Sequence, residues 1–260
     1  MTYTTEITPS QLKNLSTLIY KESGIVIGEK KLALLRARIA KRIRITKSIN
    51  ISDYLKLLAQ SQQEFLSFID AITTNHTYFF RENKHCEFII KNLNSSLPLK
   101  IWSAASSSGE EAYSIAAQLL EANFKFSIFA SDISESVIKT AQQGIYPRER
   151  LKKFPQPSLS RYFQKGKGKW ENSIRVKPEV QRHVSFTKFN LISDHPSDQF
   201  DIIFCRNVMI YFDNTTRQQV VDNLLTALKP GGYFFVGMSE SLNGINHPMS
   251  HVIPSAYQKK

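Results

Sequence analysis

The residues best suited to chemistry stand where apolar runs give way to small or charged side chains. Lys100-Ile-Trp-Ser-Ala104 reads as a strand, and Ala105-Ser-Ser-Ser-Gly-Glu-Glu111 follows it as a small-residue loop that opens a helix. Open α/β sheets bind nucleotides at such a place, but the loop is not the GxGxxG that lets a backbone close on a pyrophosphate. Glu110 and Glu111 at the helix start would repel a phosphate. A cationic sulfonium ligand with an amino-acid tail meets no such objection, and its ammonium can use a carboxylate. The same glutamates also stand at capping-box spacing from Ser107 and Ser108. A second apolar run ends at Phe129-Ala-Ser-Asp132, and an acidic residue about 20 residues past the loop is how such folds hold ribose hydroxyls. Asp132-Ile-Ser-Glu135 suits a helix N-cap as well.

Cys86 and Cys205 are the only cysteines, so the chain has no disulfide framework or metal-ligand cluster, and no metal is expected. Cys205 closes an apolar run and reads as a small hydrophobe; its neighbours Arg206 and Asn207 are better placed for a site. No His or Cys constellation for proton transfer stands out.

The elements that must position these residues follow from the texture of the chain. Apolar runs at Leu99–Trp102, Phe126–Ala130, Val184–Phe189, Ile202–Cys205 and Tyr233–Gly237 alternate with helical stretches at Glu110–Ala122, Ser134–Gln143 and Thr215–Leu228. This alternation predicts an α/β fold with a mostly parallel, doubly wound sheet, and Lys229-Pro-Gly-Gly232 reads as a helix stop. Residues 9–95 contain almost no Gly or Pro and read as helical. Between Gly144 and Val184 a basic, Pro-containing segment breaks the pattern, too long for a structureless loop. It reads as a small β insertion, with strand-like pieces flanking Gly166 and Gly168.

The net charge of +12 calls for an acidic partner, whether nucleic acid, an anionic membrane surface or an acidic protein. No apolar run approaches the ~20 residues that cross a bilayer, and the first ten residues lack a signal-peptide pattern. A cytoplasmic protein without membrane insertion is expected. In the helical region Leu32, Leu35, Ile39 and Ile43 share a stripe, while Lys31, Arg38, Lys41 and Arg42 fall on another face. Eight Lys and Arg lie between Lys30 and Lys47, and no acidic residue occurs from Lys30 to Ser52. This is either the solvated face of a bundle or a docking surface.

Five blocks of the chain resemble the chemotaxis receptor methyltransferases, the CheR family. They are Ile72-Thr-Thr-Asn-His-Thr-Tyr-Phe-Phe-Arg-Glu82, Trp102–Ala116, Phe129–Asp132, Phe200-Asp-Ile-Ile-Phe-Cys-Arg-Asn-Val-Met-Ile-Tyr-Phe-Asp213 and Leu228–Leu242. His76, Ala112 and Met238 depart from the residues common at those places in the family. The resemblance implies a Rossmann-like class I SAM-dependent methyltransferase domain over 83–260, an N-terminal all-helical domain with linker over 1–82 and an antiparallel β subdomain inserted over 145–183. It implies S-adenosyl-L-methionine as cofactor, with S-adenosylhomocysteine as product, and methylation of glutamate side chains on methyl-accepting chemotaxis receptors. Asn75, Thr77 and Arg81 would line the cofactor site from the linker, Glu111 (less surely Glu110) would take the methionine portion, and Asp132 the ribose. Asn190 and Leu191 would flank the adenine, Arg206 and Asn207 would close the site, and Tyr211 would stand near the transferred methyl. Arg81 and Tyr211 would orient cofactor or substrate rather than exchange protons.

The basic helix then gains a partner. The acidic helical region of a receptor's cytoplasmic domain would dock on Arg36, Arg38, Lys41, Arg42 and Arg44, and a receptor C-terminal peptide would add to an exposed edge at Ile174–Val176. A monomer with no nucleic-acid partner is expected. The competing readings are a nucleic-acid methyltransferase and a cofactor-binding signalling module without catalysis. The first lacks the Asn/Asp-Pro-Pro-aromatic motif of amine methylation, since the chain carries Cys205-Arg-Asn-Val208 at that place.

Overall fold

The computed structural model describes residues 7–73 and 75–260, with Glu29, Lys30 and Lys31 followed through their backbone alone. The side chain of Lys31, assigned above to the basic face, thus lies outside the described residues. Contacts divide the chain into two compact units, one of residues 1–74 with Tyr211–Asp213, the other of 75–210 with 214–260.

The first unit is helical: α1 (Pro9–Ser23), α2 (Glu29–Thr46), α3 (Ile51–Gln60) and α4 (Gln62–Ile72). Local sequence starts and stops these helices. Thr8 and Gln11 form a capping box, Gly24 ends α1 in the left-handed region at φ 67°, and Asn50 and Ser61 cap the next starts. The apolar stripe of α2 turns inward at Leu35, Ile39 and Ile43, against a core that includes Leu15, Ile19, Tyr54 and Phe68. Leu32, on the same stripe, is half-buried.

Two of the arginines assigned to a docking face are used inside this unit. Arg42 grips Glu64 of α4 with both Nε and a terminal nitrogen, and the Tyr54 hydroxyl donates to the same carboxylate at 2.8 Å. Arg38 donates to the Ile72 carbonyl. The acid-free run in α2 was a property of local sequence only; its balancing carboxylate comes from another helix. Arg42→Ala should destabilise the chain by about 3 kcal/mol in urea unfolding, because it strands Glu64 nearly buried. Lys41→Ala, at an exposed position, should stay within about 0.5 kcal/mol.

The second unit is α/β. Its elements are α5 (Lys84–Asn92), β1 (Leu99–Ala104), α6 (Glu110–Glu121), β2 (Phe126–Asp132), α7 (Glu135–Gln143), β3 (Ile145–Pro147), β4 (Phe163–Lys165), β5 (Ser173–Val176), α8 (Pro178–Gln181), β6 (Val184–Lys188), β7 (Phe200–Cys205), α9 (Asn214–Ala227), β8 (Leu228–Phe235), β9 (Met249–Ile253) and β10 (Ala256–Lys259). The main sheet runs β6-β2-β1-β7-β8-β10-β9. The strands from β6 to β8 are parallel, and β10 returns antiparallel between β8 and β9. This is a doubly wound, Rossmann-like sheet closed by an antiparallel hairpin. The closing hairpin escapes the sequence reading because β9 is largely exposed and carries no apolar run. The helix α9 ends at Ala227, directly before the predicted stop, and β8 starts at Leu228 rather than Tyr233; Lys229–Gly232 fall in an irregularity of the β7–β8 pairing, which resumes at Tyr233.

Residues 75–82, read from the sequence as the linker that follows the helical domain, belong to the α/β unit. Phe79 and Phe80 are buried in its core beside Ile89, Ala112 and Phe163, and the Phe80 N–H donates to Ser114 Oγ at 2.8 Å. The inserted segment forms a separate antiparallel sheet ordered β3-β5-β4. Its central strand is β5, paired on both sides, so Ile174–Val176 offers no free edge. Strand addition there is excluded; the two-sided pairing was invisible because β3 is only three residues long and begins straight after α7. Among the described residues no helix is long and apolar enough to cross a membrane.

Candidate functional site

Strand order turns about β1, which has β2 and β6 on one side and β7 and β8 on the other. Beyond the carboxyl ends of these strands lies the crevice that such sheets offer to ligands. The loop from β1 is tightly wound, with Ala105, Ser107 and Gly109 at φ 58°, 51° and 91°. Gly109 must be glycine: a Cβ would stand 2.8 Å from Ala141 Cβ and 2.9 Å from the Phe186 ring.

This loop is tied to Asp132. The Ser107 N–H donates to Asp132 Oδ2 at 2.8 Å, and the Ser134 N–H donates to Oδ1 at 3.0 Å. The N-cap of α7 is Ser134, not Asp132, and α6 begins at Gly109 without a side-chain cap. The local capping alternatives for Asp132 and the glutamates are thus not realised. On the β6 side the Phe189 N–H donates to the Asp132 carbonyl at 2.9 Å, placing Asn190 and Leu191 next in line. Asn190 Oδ1 accepts from the Ile192 N–H, Leu191 is buried, and Asn223 of α9 donates to the Leu191 carbonyl at 3.1 Å.

Glu110 and Glu111 separate onto different surroundings. Glu110 is fully buried, accepts from Ser108 Oγ at 2.7 Å and lies 3.4 Å from Arg150, which also donates to the Thr77 carbonyl at 2.7 Å. Glu111 accepts from Ser103 Oγ at 2.7 Å and lies 3.3 Å from Arg206 Nε. Burial raises the carboxyl pKa of both, opposed at Glu110 first by Ser108 and at Glu111 first by Arg206.

Arg206 is the hub. It donates to the Arg81 carbonyl at 2.7 Å and to the Glu82 carbonyl at 3.4 Å, while its Nε stands 3.5 Å from the Glu82 carboxylate. Arg81 reaches back to the His76 carbonyl at 3.1 Å, and its guanidinium lies 5.9 Å from the Tyr78 ring. Asn207 follows in the left-handed region at φ 58° and donates from Nδ2 to Glu82 at 3.1 Å. Two carboxylates that the sequence reading passed over, Glu82 and Glu240, sit in this network. Glu82 closed the Ile72–Glu82 block, and Glu240 follows an apolar run much as Asp132 does; that position was the available signal.

Asn75 is half-buried and Thr77 buried in the α/β unit, while Tyr211 belongs to the helical unit, where its carbonyl accepts from the Val26 N–H at 2.9 Å. Burial drives the Cys86 thiol up to about 12 and the Cys205 thiol well above its ordinary value. His85, fully buried against the Phe235 ring at 4.9 Å, is pushed down to about 4 by burial and then by the Arg206 charge. None of these groups is poised to accept a proton at neutral pH. Among the described residues the floor of the crevice offers the carboxylates of Glu111 and Glu82 around the buried Arg206 guanidinium, acceptors that fit a cation with an amino-acid tail. No group of His, Cys, Asp and Glu that could hold a metal occurs among the described residues.

Residues 75–257 match the family described as "CheR methyltransferase, SAM binding domain", and residues 10–73 match "CheR methyltransferase, all-alpha domain". The chain is 37% identical to a chemotaxis protein methyltransferase of Borreliella burgdorferi, over 97% of this chain and 95% of that protein. It is 38% identical to the chemotaxis protein methyltransferase of Escherichia coli, over 94% and 88% of the two chains. It is also 38% identical to chemotaxis protein methyltransferase 2 of Pseudomonas aeruginosa, over 92% and 89%.

Proposed function

The chain belongs to the CheR methyltransferase family, and from that premise we propose that it methylates glutamate side chains on methyl-accepting chemotaxis receptors. The enzyme is a methyltransferase that uses S-adenosylmethionine. The observation that carries the reading is Glu111 at the switch point, held by Ser103 and Arg206: a carboxylate for the cofactor's cation with no proton relay beside it, as an already ionised glutamate substrate requires. The nucleic-acid reading that charge alone left open is not favoured beside relatives of this kind.

In this reading Glu111 takes the ammonium of the methionine portion, Asp132 the ribose hydroxyls, and Asn190 and Leu191 flank the adenine. Asn75, Thr77 and Arg81 close the site from the linker, Arg206 and Asn207 close it after β7, and Arg81 and Tyr211 orient the reacting groups. When bound, the cofactor supplies an electrophilic methyl group. A receptor glutamate, with an ordinary pKa near ~4.3, is already ionised at neutral pH and needs no base. The chain's task is alignment and exclusion of water, which is where much of the rate in such displacements comes from. Methyl-labelled cofactor and a receptor cytoplasmic fragment test this: label on the receptor released by mild alkali supports the reading, and alkali-stable label contradicts it.

The receptor's acidic helical region would dock on α2 in the cytoplasm. Arg36, Lys41 and Arg44 are exposed there, with Leu34 and Ile45 exposed beside them as apolar contacts. Lys41→Ala with Arg44→Ala should raise the KM for receptor several-fold at low salt, and the difference should shrink toward 1 M salt, where the screening length falls to about 3 Å. A salt-independent difference would contradict docking by charge. A receptor tail peptide, if acidic, would suit the cleft of about 250 Å³ on the inserted sheet, lined by Trp170, Lys165, Lys167 and Arg175.

A further inference from the structure

The Asn207 side chain is held by a group that can hold it in only one orientation. Glu82 Oε1 accepts from Asn207 Nδ2 at 3.1 Å, while Oε2 accepts from the Met238 N–H at 3.0 Å. A carboxylate has acceptors and no donor, so it fixes the amide with its NH2 inward and its Oδ1 turned away from Glu82. The backbone is held as firmly. Glu240, buried, accepts from the Asn207 and Gly237 N–H groups at 2.7 Å each and from the Ile210 N–H at 3.3 Å. The loops after β7 and β8 can approach this closely only because residue 237 is glycine: a Cβ there would stand 2.5 Å from Asn207 Nδ2 and 2.6 Å from Glu240 Oε2.

We propose that Glu82 is a positioning residue for cofactor binding that acts through Asn207, with Glu240 locking that residue's backbone, so that Asn207 presents its carbonyl oxygen to the cationic methionine portion of the cofactor. The proposal rests on the reading of the crevice given above. It assigns Glu82 a role distinct from that of Glu111: Glu111 meets the ligand's charge, whereas Glu82 sets the polarity of a neighbouring amide. A glutamine at 82 could face the amide either way and would release this choice.

The test is a double-mutant cycle on S-adenosylmethionine binding, measured calorimetrically with no receptor present. Glu82→Gln and Asn207→Ala should each weaken binding about tenfold. The losses in the double variant should fall well short of the sum of the two single losses, because the part that Glu82 exerts through Asn207 is already gone. Glu82→Asp, which keeps the charge but shortens the reach, should show the same coupling and serves if the glutamine variant does not fold. In the cofactor-free protein the side-chain NH2 resonances of Asn207 should move in Glu82→Gln. Additive losses in the double variant, or wild-type affinity in both Glu82 variants, would overturn the proposal while leaving the functional reading intact. Wild-type protein that binds no S-adenosylmethionine would overturn the reading, and the proposal with it.

Discussion

Arg206→Ala should bind S-adenosylmethionine about a hundredfold more weakly and lose methyl transfer at least in proportion. The side chain is 4% exposed, lies between the carboxylates of Glu111 and Glu82, and also satisfies the carbonyls of Arg81 and Glu82. Removing it leaves two nearly buried carboxylates facing one another without the guanidinium that holds them, so their like charges repel and the geometry that seats the cofactor is lost. The turn at residues 81–82 loses its anchor at the same moment. Stability should fall by about 3 kcal/mol in denaturant unfolding, the cost of breaking a buried pair from one side. Arg206→Lys should rescue little, because a single ammonium cannot serve two carbonyls and two carboxylates that a planar guanidinium reaches together. Binding within threefold of wild type in Arg206→Ala would contradict this account of the hub.

Cofactor affinity should fall on acidification, with a midpoint above the ordinary carboxylate value, and Glu111→Gln should abolish that dependence. Burial raises the Glu111 pKa, opposed by Arg206 and Ser103, while Glu82 adds a like charge and Arg81 an opposite one. A protonated Glu111 cannot meet a cation, so binding is present above the raised pKa and lost as the pH drops through it. Stability runs the other way. Because the folded pKa lies above the unfolded one, the charged form is the costly one, and the contribution of Glu111 to stability is lost as pH rises through the folded pKa. Glu111→Gln should therefore leave the cofactor-free protein as stable or more stable near neutral pH, while weakening cofactor binding tenfold or more. His85, whose pKa is pushed down to about 4, destabilises the fold as the pH falls from its unfolded value toward 4, in wild type and variant alike. That background separates the two groups: the Glu111 effect is the part of the binding profile that the glutamine variant removes. A profile that is unchanged in Glu111→Gln would contradict the assignment.

What could be read in the sequence was what the chain encodes locally. The period of Leu35, Ile39 and Ile43 marks the buried side of α2, and the apolar runs mark the parallel strands, because each depends only on neighbours within a turn or a strand. Pairings across the fold leave no such trace. Nothing near Arg42 announces Glu64, 22 residues on, so a face that looked free for docking is partly consumed at home. The three residues of β3 carry no period, which hid the fact that β5 is a central strand. Asp132 and Glu111 stood out because each follows an apolar run at the place where an open α/β sheet receives its ligand. Glu82 and Glu240 did not, since their partners are backbone N–H groups and an amide delivered from other segments.

The most direct measurement is to locate the transferred methyl by tandem mass spectrometry of a receptor cytoplasmic fragment after incubation with S-adenosylmethionine and either wild-type or Arg206→Ala protein. The account predicts methyl esters on glutamate side chains with the wild type, and their loss with the variant. Methyl groups on other residue types, or no transfer by a wild-type protein that binds the cofactor, would contradict it.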